Sequence, residues 1–237
     1  MPSAEAFEKK KLQGIPIVRE AFARTVRLVT TARLRESVLK PLVDSEDEFA
    51  ELTEIETATS TRATAQERGL EAIGAAEFVH GVPGAVFINA GFAYAKPMEL
   101  NRFNGPNRGA WYAALVVETC IAEVAFHMAA FLERTGVYEA EVEYTELYAS
   151  LAGEYCDLRG VREHPSLVPD PRLGYEAGNA LADAALASGV NGIIYPSVRH
   201  RGGTCFAVLR PHAVQSVAQG KIIRMIWSGN SVPKIER

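Results

Sequence analysis

The stretch ETCIAEVAFHMAAFLERTG, residues 118–136, limits what this chain can fold into more than any other. Ile121, Val124, Ala125, Met128 and Leu132 recur at helical spacing as one apolar stripe. Cys120, Glu123, His127 and Ala130 form a neighbouring stripe, and between Thr119 and Leu132 only Glu123 and His127 can carry charge near neutral pH. A helix apolar nearly all round is buried on most sides, so this segment is expected inside a layered domain. A carboxylate placed there is costly unless something compensates it. Two readings of Glu123 stay open on the residues alone. It is paired for structural reasons, for instance with His127 one turn on, or it is a functional carboxylate in a pocket wall. Glu-x-x-x-His supplies too few ligands for a metal, and His80, His164, His200 and His212 show no ligand spacing, so no metal site is expected.

Around this helix the chain reads as a mixture of strands and helices. Residues 21–29 read as a strand, and 44–59 as a helix with an acidic first turn and Phe49, Leu52 and Ile55 at helical spacing. A polar helix follows, ending near Gly69 or Gly74. Residues 84–94 read as a strand with a glycine break. Residues 101–115 form a turn-rich loop entering a strand, 138–151 a strand, 155–174 a long loop, and 175–192 a helix with a glycine stop. A strand, a loop, a strand at 204–210 and a further strand near 221–229 complete the chain. Helices and strands do not alternate regularly, there is no repeat and no linker, and the expected class is α+β: one domain with a mixed β-sheet core flanked by helices. Residues 1–19 are expected to be a flexible N-terminus, 20–229 the domain, and 230–237 a C-terminal tail.

At 237 residues the chain can build one sizeable core, and 48% hydrophobic with 23% charged residues is ordinary for a globular protein. A net charge of -4 argues against direct nucleic-acid binding, which needs a cationic face, without excluding a local basic pocket. Cys120, Cys156 and Cys205 are odd in number and far apart, which suits buried thiols in a reducing compartment. No histidine is placed by sequence to activate any of them. The N-terminus has no apolar core of a secretory signal, and no run reaches the roughly 18 to 20 apolar residues of a membrane span. A cytoplasmic protein with no membrane association is expected.

Two loops carry the remaining chemistry. RFNGPNRGAWY places Arg102 and Arg108 among Gly, Pro and Asn, where backbone comes close to a ligand and a guanidinium can grip phosphate or carboxylate through two bonds. VNGIIYPSVRHRGGTCFAVLRP brackets a loop containing Ser197, Arg199, His200 and Arg201 between two strand-like runs. Ser197 lacks the G-x-S-x-G elbow of a nucleophile. As a serine after a proline at a strand end, it is first a cap or turn residue, then a hydrogen-bond donor to a phosphate, and only last a nucleophile. No Walker loop and no G-x-G-x-x-G is present. A carboxylate among apolar residues with two arginine-bearing loops suits an anionic, phosphate-bearing small ligand.

Taken together, RFNGPNRGAWYAAL, ETCIAEVAFH, YEAGNALADAAL and GVNGIIYPSVRHRGGTCFAVLRP resemble the successive blocks of the RES domain, over roughly residues 20–229. The resemblance implies a fold similar to ADP-ribosyltransferase toxins and the toxin half of a bacterial toxin–antitoxin pair. It implies an Xre-like antitoxin as partner, a homodimer within the complex, and NAD as substrate, cleaved by hydrolysis or phosphorolysis. The alternative it carries is transfer of ADP-ribose to a protein such as a nucleotide-synthesis enzyme. Matched motif by motif, it implies Glu123, Arg102 and Tyr112 as catalytic residues. Arg27, Arg102, Tyr112, Ser197 and Arg199 are implied as NAD contacts, Ser197 bonding a phosphate or ribose of the ligand. The turn NGPNRG departs from the family's more usual serine- or aspartate-containing turn, which leaves Arg108 without an implied role.

Overall fold

A computed structural model describes residues 11–33, 73, 75–93, 100–161 and 163–237. The helices expected at 44–59 and just after it lie outside the described residues, apart from Ile73. Among the described residues are eight strands and three α-helices.

Strand β4 (Glu139–Asp157) organises the sheet. Its first residues alternate, with Glu139, Glu141 and Glu143 exposed and the residues between them turned inward, as a strand with one wet face must. From Tyr144 to Leu147 burial becomes continuous, because both faces are covered. One edge of β4 pairs antiparallel with β2 (Ile15–Thr30), from Thr30↔Tyr144 to Ile17↔Cys156. The other edge has two neighbours. β7 (Val214–Ser228) runs antiparallel to it as far as Leu151, and β5 (Gly192–Pro196) then runs parallel to Tyr155–Asp157. At the changeover Asn191 bonds both polar backbone groups of Glu154. Gly153 lies beside it, where an added Cβ would come within 2.4 Å of the Asn191 side chain.

β5 pairs with β6 (Thr204–Val208), β6 with β3 (Trp111–Ala114), and β3 returns to β2 at Val26↔Ala114. The pairings β2–β3–β6–β5–β4–β2 therefore close a ring, from which β7 and the short β8 (Lys234–Glu236) extend on one side. β1 (Lys11–Leu12) adds to β2. The α+β class and the mixed sheet follow directly from these pairings.

Helix α1 (Ala85–Ala93) overturns the strand expected at 84–94. Eight of its nine residues are apolar, Asn89 being the exception, and a short apolar run of that kind has no period to separate a strand from a buried helix. Tertiary packing decided: Ile88 and Phe92 are fully buried, and the Asn89 side chain bonds both the N–H and the carbonyl of Val79. Helix α2 (Val117–Thr135) ends on Gly136 in the left-handed region, as expected. It is less enclosed than its composition suggests. Only Thr119, Cys120 and Leu132 are buried, Phe131 is 50% exposed, and His127 is exposed. One face packs on Tyr144, Met225 and Trp227, and another borders an open cavity.

Helix α3 (Pro171–Ala187) starts earlier than its apolar period indicates, because Asp170 caps it and Pro171 occupies the first turn. Residues 11–19, expected to be loose, form β1 and the start of β2, with Ile15 2% exposed. The tail at 230–237 contains β8. No helix among the described residues is long and apolar enough to cross a membrane.

Ile194, fully buried in β5, packs with Leu147, Phe206 and Val208. Ile194→Ala should cost about 2–5 kcal/mol, seen as a lower urea midpoint at unchanged slope.

Candidate active site

Inside the rim formed by β2, β3 and α2 lies a cavity of about 220 Å³. Arg27 reaches it from β2, Arg102 from the turn before β3, Tyr112 from β3, and Glu123 and His127 from successive turns of α2. The stripe Cys120–Glu123–His127 thus forms one wall. Tyr175, Tyr195 and Cys205, which sequence reasoning did not single out as site residues, line it too. Each lies inside a quoted block, Tyr175 in YEAGNALADAAL and Tyr195 and Cys205 in GVNGIIYPSVRHRGGTCFAVLRP, with no feature that marks it out there.

Arg27 is backed by Trp111, whose ring centre lies 4.8 Å from the guanidinium carbon, and it makes long bonds to the Ala110 and Tyr112 carbonyls, 3.4 Å each. Arg102 is 6% exposed. Its Nη1 donates to the carbonyls of Ser166 and, at 3.0 Å, Val168, and its guanidinium carbon lies 5.3 Å from the centre of the Tyr175 ring. The turn carrying it is pinned by Tyr112, whose hydroxyl donates to Asn104 Oδ1 and accepts from the Phe103 N–H, both at 2.9 Å. The ring of Tyr112 faces the cavity while its polar end is spent on the loop.

Glu123 is half-buried and is not sealed in the interior. Its Oε1 accepts the Ser197 hydroxyl at 2.6 Å, with the Cys205 thiol at 3.9 Å. Ser197 itself is not among the cavity-lining residues. Its Oγ accepts the N–H groups of Arg199 (3.1 Å) and His200 (2.9 Å), so its single proton is directed to Glu123. It is the turn residue anticipated from its position, and it also bonds the carboxylate.

Arg199 lies outside the lining as well. Its guanidinium stacks 3.4 Å over Phe126 and donates to the Pro169 carbonyl at 2.5 Å. Burial lowers its pKa first and the charge of Arg102 next, while Glu123 opposes both. Arg108 has a structural partner: it forms a two-pronged pair with Glu77, 2.7 and 3.1 Å, and bonds the Leu209 carbonyl. Among the described residues no cluster of three His, Cys, Asp or Glu side chains is placed to hold a metal.

A positively biased cavity with one oriented carboxylate can bind an anionic ligand and stabilise positive charge developing close to it. The thiols are poorly suited to attack. Burial pushes Cys120 up to about 12 and Cys156 to about 11, and raises Cys205 as well.

A family model described as RES domain matches residues 78–228. The crystal structure of the M. tuberculosis MbcT–MbcA toxin–antitoxin complex contains a chain similar to this one at 19% identity, with a TM-score of 0.40, covering 53% of this chain and 72% of that one. No curated protein matches the chain.

Two outcomes are expected. At pH 8 the three thiols should resist a disulfide reagent in the folded protein and react fully in denaturant. Free thiols ionise near pH 8.5, so the stability linked to the raised native values is present below that pH and lost as pH rises toward 11–12. Gly178→Ala would place a Cβ 1.8 Å from the Arg102 carbonyl oxygen. It should cost about 1–3 kcal/mol of overpacking in thermal denaturation and weaken anion binding, because Arg102 must shift.

Proposed function

The chain belongs to the RES-domain family, and from that premise we propose that it is the toxin of a toxin–antitoxin pair and that its cavity cleaves NAD at the nicotinamide–ribose bond. The observation that supports this reading is the meeting of Arg27, Arg102, Tyr112 and Glu123 in one cavity, from four separate parts of the chain.

The chemistry asks for little more. Nicotinamide leaves as a neutral base, so its departure needs no general acid. What develops is positive charge on the ribose as an oxocarbenium ion, as in other glycosidic cleavages. Glu123 stabilises that charge and holds a ribose hydroxyl, with Ser197 fixing the direction of the carboxylate. Arg27 and Arg102 bind the pyrophosphate, and the ring of Tyr112 flanks the nicotinamide. Arg199 holds the loop after β5 against α2 and adds positive potential. Water or phosphate then takes the ribose. The partner in the cell is an Xre-like antitoxin, and the toxin is a homodimer within that complex.

The test is purified chain, free of antitoxin, incubated with NAD and followed by mass spectrometry. Nicotinamide with ADP-ribose marks a hydrolase, and ADP-ribose-1″-phosphate formed only with phosphate marks a phosphorylase. A protein gaining ADP-ribose in lysate would replace this reading by transfer to protein. NAD left intact under all three conditions would overturn it. Glu123→Gln should retain the fold and lose on the order of 10²- to 10³-fold in turnover. Full activity in that variant removes Glu123 from the chemistry.

A further inference from the structure

We propose that His200 is a positioning residue that acts on Glu123 through Ser197, locking the loop 197–203 onto the first turn of α2. The proposal rests on the role assigned above to Glu123, and the contacts that motivate it are independent of any ligand.

Ser197 orients Glu123, so whatever holds Ser197 orients Glu123 as well. The loop closes on itself through Ser197 N–H to the Gly203 carbonyl at 2.8 Å and Gly203 N–H to the His200 carbonyl at 2.9 Å. Neither bond anchors it to the helix that carries Glu123. The Arg199 guanidinium stacks on Phe126 of that helix, and His200 adds a hydrogen bond to its first turn. Its Nδ1 and the Thr119 Oγ1 lie 2.8 Å apart as a hydrogen-bonded pair. Thr119 is fully buried and stands one turn before Glu123 on α2. His200 also gives its backbone N–H to Ser197 Oγ at 2.9 Å. One residue therefore joins the carboxylate's helix to the hydroxyl that directs the carboxylate.

Space at Gly203 is a second observation. A Cβ there would lie 2.6 Å from Thr119 Oγ1 and 3.1 Å from His200 Nδ1. Any side chain at 203 competes for the volume in which threonine and histidine meet. The glycine is required by close approach rather than by its backbone angle.

The chemistry of the side chains makes the inference selective. The side-chain nitrogen or oxygen of asparagine overlies Nδ1 of histidine, whereas glutamine reaches the place of Nε2. If the Nδ1 contact is what matters, His200→Asn restores what His200→Ala loses, and His200→Gln does not.

The experiment measures kcat and KM for NAD in the full chain and in His200→Ala, His200→Asn, His200→Gln, Ser197→Ala and the double variant Ser197→Ala with His200→Ala. A misplacement of about 1 Å in a reacting group can cost about 100-fold. The expected loss in His200→Ala is about tenfold in kcat with KM nearly unchanged. Asn should recover most of it, and the double variant should be no slower than Ser197→Ala alone, because both act along one path. Additive losses, equal recovery by Asn and Gln, or unchanged kcat in His200→Ala would overturn the proposal. Hydrogen exchange of the Arg199 and His200 amides, which bond Ser197 Oγ, provides a reading that needs no turnover. Faster exchange in His200→Ala than in His200→Asn supports the lock, and identical exchange refutes it. A parent chain that leaves NAD intact therefore counts against the proposed reaction, while the amides still decide the lock.

Discussion

A strand has two edges, and β4 uses both along nearly its whole length. β2 takes one edge, and β7 followed by β5 takes the other. Because β2 and β5 are also linked through β3 and β6, the ring closes and leaves none of its five strands free to slide. A one-residue slip would turn every inward side chain outward. Arg27 on β2, Tyr112 on β3, Cys205 on β6 and Ser197 just after β5 therefore hold fixed heights relative to one another. The helix bearing Glu123 follows β3 after two residues and lies across β2.

The charges of the site are arranged rather than merely gathered. Glu123 stands in a half-open cavity and takes a short bond from a hydroxyl that has no other use for its proton. Each arginine has an aromatic ring beside it: Arg27 lies over Trp111, Arg199 over Phe126, and Arg102 near the Tyr175 ring. An aromatic face offers a guanidinium partial compensation while leaving its N–H edge available.

Helix α2 was legible because nineteen residues keep one period and stop at a glycine. The site was legible in part, through motifs in which Arg102, Tyr112, Glu123 and Ser197 each sit in a short recognisable block. What those motifs do not encode is who bonds whom. Ser197 was expected to touch a ligand, yet its proton is directed to a residue 74 positions away. Tyr112 spends its hydroxyl on the loop of Arg102. Such contacts come from the closing of the ring and have no local signature. α1 differs from the expected strand for the opposite reason: eight apolar residues around Asn89 hold too little pattern, and packing against Trp111 and the β7 side of the core settled the matter. α3 begins four residues before the expected 175, at Pro171 after the Asp170 cap.

Arg102 is already bonded before any ligand arrives, to two carbonyls of the segment leading into α3. A free arginine side chain surrenders up to about 2 kcal/mol of rotational entropy when it is immobilised. Here that loss is incurred when the chain folds, not when a ligand binds. A guanidinium held in this way would meet an anion as a fixed part of the wall, with no further ordering to subtract from its contribution to affinity. The same bonds make the segment at 166–168 dependent on a charged residue more than sixty positions earlier in the chain. The cost of truncating Arg102 would then be divided between a lost ligand contact and a loosened approach to α3, and any affinity measured on that variant contains both.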